Sequence, residues 1–373
     1  MKIGTITYHG AYNYGSVLQA YALQEFVIQL GEQHGVDIDY SIINYRPRCQ
    51  KEIYWQVYPP VTKTNIIKSL MRMPYARQLK RKAVEYEQFL SEHLNLTEEV
   101  QENDLNRFSD EFDWYISGSD QIFNIRSKDF TFSNLLNFTN SPHKISYAAS
   151  LGPLQIDWSQ YDKEKYISFI QEFSHISVRE QRSKDMLDKL LGKDVCSVHI
   201  DPTLLLDANE WRKVQSGKDY KDGQYILIYC LEPTKKHMFI AEQLSKTLDL
   251  PIVCTGYRCK YDYFNSFVKL YDAGPADFLA LIDHAAMVLT SSFHGTAFSV
   301  IYNKPFWVID GMEDNRIRDL LIMTGLSGNS ITLESLPNFK KEQPLRMSSD
   351  GTSQIIERER VRSSEYLKNA LEL

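Results

Sequence analysis

The segment Thr290-Ser291-Ser292-Phe293-His294-Gly295-Thr296-Ala297-Phe298-Ser299 sets a titratable imidazole among hydroxyl side chains, directly after the apolar run 285–289. That run reads as a buried strand, and the small residues after it open a helix ending near Tyr302. A strand-to-helix turn leaves backbone N–H groups without helical partners, and such a helix start attracts anions. Gly295 withholds the Cβ that keeps a ligand off the main chain. Histidine exchanges a proton near neutral pH, so His294 has the chemistry to hold a phosphate or to act as acid or base. The plain alternative is a core histidine near a helix start. Ser291, Ser292 and Thr296 argue against it, because several polar side chains in one turn are costly unless something uses them.

Other candidate groups stand where further strands end. His9-Gly10-Ala11-Tyr12-Asn13-Tyr14-Gly15-Ser16 follows the first strand, and Asn13 or Ser16 is placed to cap the helix that begins there. Its glycines do not make the G-x-G-x-x-G fingerprint, which speaks against a nicotinamide cofactor. Ser117-Gly118-Ser119-Asp120-Gln121 offers Asp120 either as a general base toward a hydroxyl or as a capping aspartate. Ser146-Tyr147-Ala148-Ala149-Ser150-Leu151-Gly152 leaves room near the backbone. Ser177-Val178-Arg179-Glu180 offers Arg179 either as a forked contact to carboxylate or phosphate or as the partner of a nearby acid. His199-Ile200-Asp201-Pro202-Thr203 reads as structural, turning the chain toward a second domain. Arg316 and Arg318 follow acids and read either as a solvated helix face or as groups reaching an anion across the cleft. No cluster has metal-ligand spacing, so no metal is expected.

Composition narrows the function classes. The chain of 373 residues is 43% hydrophobic and 24% charged, as globular proteins are. Its net charge of −6 gives no general case for nucleic-acid binding. Apolar runs such as Tyr225-Ile226-Leu227-Ile228-Tyr229-Cys230-Leu231 are too short to cross a bilayer. The five cysteines lack framework spacing, and no leader pattern precedes the first strand, so a reduced cytoplasmic protein is expected. The 23 tyrosines and 18 phenylalanines suit carbohydrate contacts and equally suit large cores.

Strands must alternate with helices to bring these groups to strand ends. Residues 2–8, 40–45, 112–116, 144–148 and 175–178 read as strands, with helices over 17–30 and 180–191 and helical pieces over 63–93 broken at Pro74. The pattern restarts after Asp201-Pro202-Thr203, with strands over 225–231, 251–255, 287–290 and 305–308 and helices over 237–248 and 277–284. Two such series imply two α/β domains with mostly parallel sheets, placed at 1–207 and 208–350. Residues 351–373 form a charged helix expected to pack back on the first domain. Ligands of parallel sheets bind outside the carboxyl ends of strands, so the motifs are expected to line a cleft between the domains.

Taken together the motifs resemble the polysaccharide pyruvyl transferase family. The matching pieces are Asn13-Tyr14-Gly15-Ser16-Val17-Leu18-Gln19-Ala20-Tyr21-Ala22-Leu23-Gln24, Gly118-Ser119-Asp120-Gln121, Ser146-Tyr147-Ala148-Ala149-Ser150, Ser177-Val178-Arg179-Glu180, Asp201-Pro202-Thr203-Leu204-Leu205 and the 290–299 segment. The resemblance implies two Rossmann-like domains facing a central cleft, in a glycosyltransferase-B-like arrangement. It implies transfer of a pyruvyl group from phosphoenolpyruvate, the donor substrate, to a sugar of an exopolysaccharide or capsule precursor, usually as a ketal, with no cofactor. Carried over by motif, His294 is similar to the family's histidine near the donor, and Arg179 to a donor-anion arginine. Asn13, Tyr14, Gly15, Ser16, Ser291, Ser292, Gly295 and Thr296 complete the expected substrate site, with His294 and Asp120 as its catalytic groups. Family members often carry arginine where this chain has Ser292, and a lost cation there must be replaced.

Two other functions fit the same architecture: a nucleotide-sugar-dependent glycosyltransferase, and a non-catalytic sugar-binding member of the family. The basic stretch over 63–82, with Lys63, Lys68, Arg72, Arg77, Lys80, Arg81 and Lys82 among Ile66, Ile67, Leu70, Met71 and Met73, reads either as a solvated helix face or as a peripheral contact with the inner face of an anionic membrane. The latter suits an acceptor carried on a polyprenyl lipid.

Overall fold

In the computed structural model, residues 1–50, 63, 66, 70, 73–256, 265–336 and 350–373 are described. Short strands buried along their whole length dominate it: Trp114–Ser117, Ile226–Cys230, Ile252–Gly256, Met287–Thr290 and Phe306–Ile309 have no exposed residue. Strands covered on both faces are the mark of parallel sheets flanked by helices. The chain divides into two compact units, one of Met1–Ile66, Leu90–Leu206 and Arg358–Leu373, the other of Ile67–Phe89 and Asp207–Glu357.

The first unit holds strands β1 (Lys2–Ile6), β2 (Asp39–Ile42), β3 (Trp114–Ser117) and β4 (Lys144–Ser146), in the order β2-β1-β3-β4 and all parallel. Parallel bridges Ile145↔His175 and Ala149↔Val178 carry the sheet on to β5 (Ile176–Val178), which pairs with β6 (Cys196–Val198). Between β1 and β2 runs helix α1 (Tyr14–His34), buried all round from Tyr14 to Gln24 and ended by Gly35 in the left-handed region, φ 72°. Helix α2 (Ala76–His93) belongs to the second unit up to Phe89. Helices α3 (Lys163–Ile170) and α4 (Gln181–Leu191) precede and follow β5.

The second unit resumes with α5 (Ala208–Arg212) and has strands β7 (Ile226–Cys230), β8 (Ile252–Gly256), β9 (Val268–Leu270), β10 (Met287–Thr290), β11 (Phe306–Ile309) and β12 (Ser330–Ile331). Their order is β12-β11-β10-β7-β8-β9, again all parallel. Helices α6 (Lys235–Leu248), α7 (Pro275–His284), α8 (Phe293–Ile301) and α9 (Asn315–Met323) connect them. Strands β6, β9 and β12 have no counterpart in the sequence reading, because two or three residues at a sheet margin make no apolar run to detect.

The last helix, α10 (Asp350–Ala370), contributes its residues from Arg358 onward to the first unit. There Arg360 donates to the carbonyls of Leu204 (2.7 Å) and Leu206 (2.9 Å), and Tyr366 donates its hydroxyl to Ser146 O (2.8 Å). His199 lies against the Tyr366 ring, centroids 4.5 Å apart, with Nδ1 3.3 Å from Ser363 Oγ.

The basic stretch divides by environment. Lys63, Ile66, Leu70, Met73, Arg77, Lys80 and Arg81 are exposed, whereas Ile67, Lys68, Met71 and Arg72 lie outside the described residues. Arg81 pairs with Asp272 at 2.7 Å. Lys82 does not share that face: it is buried, donates to Gly256 O at 2.9 Å, and burial lowers its pKa to about 8. Cys49, Cys196, Cys230 and Cys254 are free thiols, and Cys259 lies outside the described residues. Among the described residues no helix is long and apolar enough to cross a membrane.

Candidate active site

Strand order reverses in the first unit between β1 and β3: the chain moves outward from β1 to β2, then returns to place β3 on the other side. The loops leaving neighbouring strands at such a point diverge and open a crevice at their carboxyl ends. Asn13 caps α1 by accepting from Gly15 N (3.0 Å), which fixes the turn from β1. Ser16, in the first turn of the helix, donates to Asp120 Oδ2 at 2.8 Å, so a side chain from the helix after β1 meets one from the loop after β3. A cavity of about 240 Å³ opens here, lined by Tyr8, Ala11, Asn13, Ser16, Asp120, Gln121, Ser127, Lys128 and Asp129. Tyr14 and Gly15 are buried in the first turn of α1 and are not part of that lining. A wider depression of about 590 Å³, touched by Asp113, Trp114 and His143, lies at the opposite ends of β3 and β4, away from where parallel sheets bind ligands.

The backbone at Asp120 is unusual. Its φ of 64° and ψ of −163° belong to a region populated almost only by glycine, at a cost on the order of 1–3 kcal/mol for other residues. Ala148, at the end of β4, also has a positive φ (47°), and its carbonyl accepts from Ser119 Oγ at 2.9 Å. Backbone held in sparsely populated conformations stands at two neighbouring strand ends, a kind of strain that clusters at functional sites.

Arg179, anticipated as an anion clamp, is 7% exposed and faces three acids. Its Nη1 donates to Asp201 Oδ2 at 2.5 Å, Nη2 stands 3.7 Å from Asp120 Oδ1, and Nε 3.7 Å from Glu180 Oε2. Burial alone would lower its pKa, but the charges of Asp201, Asp120 and Glu180 outweigh it and hold the guanidinium above its ordinary value. Asp201 is itself fixed by Thr203, whose N–H (3.0 Å) and hydroxyl (2.7 Å) donate to Oδ1. Glu180 accepts from Ser150 and Ser183. One guanidinium among three carboxylates has little left to offer an anionic ligand. Asp201, in a segment read from sequence as mainly structural, is the tightest partner of Arg179.

Asp129 and Tyr8 are pocket residues that the sequence reading passed over. Tyr8 accepts from Asn134 Nδ2 (3.1 Å), and its hydroxyl is pushed well above the usual phenol range by burial, then by the charges of Asp129 and Asp120. Burial likewise pushes the Asp129 carboxyl up, against a hydrogen bond from Ser127. The available signal was the polar trio Ser127-Lys128-Asp129, flanked closely by Ile125 and Phe130 and by Phe123 and Phe132.

In the second unit the strand order reverses between β7 and β10, so the 290–299 segment leaves the sheet at the corresponding point. Thr290 Oγ1 donates to Tyr229 O (2.6 Å) and accepts from Ser292 N (3.0 Å), which shapes the turn. Thr296 Oγ1 donates back to Ser292 O (3.0 Å) and Ser299 Oγ to Gly295 O (2.7 Å), so those hydroxyls serve the backbone. Ser291 is half-buried, and Ser292 is buried without capping the helix through its side chain. His294 is buried, its ring edge-to-face with Phe293 at 5.2 Å. The space beside Gly295 is not open to a ligand: a Cβ there would collide with the Thr290 side chain and lie 3.1 Å from Tyr229 Cδ1. Glycine at this position lets α8 sit on its own strand. Arg316 is held by its helix cap, Asp314, at 2.6 Å, and Arg318 stands 3.9 Å from Asp319.

The model of the polysaccharide pyruvyl transferase family matches residues 13–311 of the chain. In fold it is similar to a putative UDP-N-acetylglucosamine 2-epimerase from Listeria monocytogenes, with TM-score 0.54, 12% identity, and coverage of 100% of this chain and 96% of that one. The S. aureus MnaA–UDP co-structure gives TM-score 0.52 and 12% identity, covering 100% of this chain and 97% of that one. The fold is α/β and glycosyltransferase-B-like, built on parallel sheets. Comparison with curated proteins finds no match.

Proposed function

Because the chain belongs to the polysaccharide pyruvyl transferase family, we propose that this transferase moves a pyruvyl group from phosphoenolpyruvate onto a sugar of a bacterial exopolysaccharide or capsule precursor, closing a ketal on two hydroxyls. The acceptor is carried on a polyprenyl lipid, met at the inner face of the membrane through the exposed residues of the 63–81 stretch.

The chemistry asks for few groups. Protonation of the methylene carbon C3 makes C2 electrophilic, a sugar hydroxyl adds there and loses its proton, phosphate departs, and the second hydroxyl closes the ring. The observation that carries the reading is the strained Asp120 beside a cavity at the strand-order reversal, its carboxylate oriented by Ser16. A carboxylate so held is suited to take the hydroxyl proton. Arg179 acts through Asp120 and Asp201 rather than on the donor, since its charge already faces acids. His294, at the corresponding strand end of the second unit, is assigned to the donor phosphate, with Ser291 beside it. Ser292 occupies the position where relatives often carry a cation.

The test is phosphate release from phosphoenolpyruvate with a panel of free and polyprenyl-linked sugars, with the ketal identified by mass spectrometry. Acceptor-dependent release is expected, and loss of at least about 100-fold in His294→Ala, the scale for removing one group that stabilises developing charge. Turnover of a nucleotide sugar without phosphate release would replace this reading with glycosyl transfer, and ligand binding without any turnover would make the chain a non-catalytic member.

A further inference from the structure

Two carboxyls line the cavity of the first unit, and the reaction above uses only one of them. Asp129 is 8% exposed, far more secluded than aspartates usually are. Ser127 donates to its Oδ1, and Gln50 bonds the same carboxyl. The titratable and charged groups around it are Tyr8, Asp120, Lys128 and, on the segment before the cavity, Cys49. Asp120 differs in its charged neighbour: it accepts from Ser16 and stands 3.7 Å from the Arg179 guanidinium. Two carboxyls in one cavity with opposed surroundings are the arrangement by which enzymes divide acid from base.

From this juxtaposition we propose that Asp129 is the acid of the transfer, paired with Asp120 as the base in the same cavity. The proposal rests on the pyruvyl-transfer reading and deepens it. Burial shifts the Asp129 carboxyl upward, against the hydrogen bonds from Ser127 and Gln50, in the direction that favours its protonated form. Lys128 and the first turn of α1, beside Asn13, offset the negative charge of the donor.

The proton inventory closes on these two side chains. Asp129 gives its proton to C3 of phosphoenolpyruvate, turning the methylene into a methyl and leaving C2 electrophilic. The first hydroxyl oxygen bonds to C2, and its proton passes to Asp120. The C2–O bond to phosphate then breaks, phosphate taking the electron pair and the proton from Asp120. The second hydroxyl bonds to C2, and its proton passes to the Asp129 carboxylate. One donor and one diol become one ketal and one hydrogen phosphate, with both aspartates restored and no oxidant, reductant or further reactant consumed.

The experiment compares wild type, Asp129→Asn and Asp129→Glu in two measurements, after thermal melts verify folding. The first is an infrared pH titration of the protonated carboxyl band in wild-type-minus-variant difference spectra. The second is acceptor-dependent phosphate release from phosphoenolpyruvate, with kcat and KM separated. A band that titrates above the ordinary aspartate value of about 3.9 and is absent from Asp129→Asn is expected. So is a fall in kcat of at least about 100-fold in Asp129→Asn with KM for phosphoenolpyruvate little changed, partly recovered in Asp129→Glu. An active wild type with an equally active Asp129→Asn overturns Asp129 as the acid and leaves pyruvyl transfer standing. Absence of the band overturns it whatever the turnover. Absence of phosphate release from wild type with every acceptor overturns pyruvyl transfer itself, and this role with it.

Discussion

The hydroxyl of Ser16, in the first turn of α1, lies 2.8 Å from Asp120 Oδ2 in the loop after β3, 104 residues further along the chain. The bond spans the place where strand order reverses, so it ties together the two loops that must part to make a crevice. It also fixes the carboxylate's orientation, with Oδ2 on Ser16 and Oδ1 toward the Arg179 guanidinium at 3.7 Å. If Asp120 is the base, Asp120→Asn lowers kcat for phosphate release by about 10²–10⁴, and Ser16→Ala by about tenfold, each with KM little changed. Steady-state kinetics decide it, and an Asp120→Asn enzyme of wild-type turnover would exclude the role.

Arg179 is expected to matter to stability before it matters to binding. Arg179→Met leaves Asp120, Glu180 and Asp201 facing one another in the interior, and breaking a buried ion pair from one side costs about 3–5 kcal/mol. Urea denaturation should show this as a lowered midpoint. A variant of unchanged stability whose KM for phosphoenolpyruvate rises would restore the arginine as a donor clamp.

Gly295→Ala forces a methyl group into the Thr290 side chain and against Tyr229. Overpacking of this kind costs about 1–3 kcal/mol, read as a lower melting temperature. Unchanged stability with weakened donor binding would mean that the glycine serves ligand approach instead.

The first unit should weaken in mild acid through His199. Burial, aided by Arg362, lowers its folded pKa to about 4, below the unfolded value of about 6.5. The unfolded chain therefore binds a proton that the folded chain refuses. Stability from this residue is complete above about pH 6.5 and is lost as pH falls through the window down to about 4, amounting to roughly 3 kcal/mol. His199→Gln should flatten the melting temperature between those limits. A wild-type melting profile with no slope there would contradict the assignment.

Membrane contact through the basic stretch predicts co-sedimentation with anionic liposomes that weakens when Lys63, Arg77 and Lys80 are changed to glutamate, by about 1 kcal/mol for each charge removed. Lys82→Glu is a poor probe, because that side chain is buried on Gly256 O. Binding that ignores the three substitutions would leave the stretch as a solvated face.

The α/β class and the parallel sheets were legible because runs such as 225–231 and 287–290 are apolar throughout, which a two-faced parallel strand requires. The Asn13 cap was legible for a similar local reason, as its spacing to the helix is short. What stayed hidden is what depends on distant segments. Nothing near Arg179 in sequence announces Asp201, 22 residues on, as its closest partner at 2.5 Å. The polar group at 290–296 invited a ligand reading, yet Thr290 and Thr296 spend their hydroxyls on backbone carbonyls at 2.6 Å and 3.0 Å. Asp129 was invisible for the opposite reason: a single aspartate in a loop looks ordinary until its burial is known.

The left-handed, extended backbone of Asp120 separates two quantities that usually fall together. Substituting glycine deletes the carboxylate and at the same time relaxes the main chain, whereas asparagine deletes the charge and keeps the contortion. Asp120→Gly should therefore outlast Asp120→Asn in heat while being no better a catalyst. A chain that retains a durable-looking defect at one residue is trading robustness for the direction in which two oxygens point.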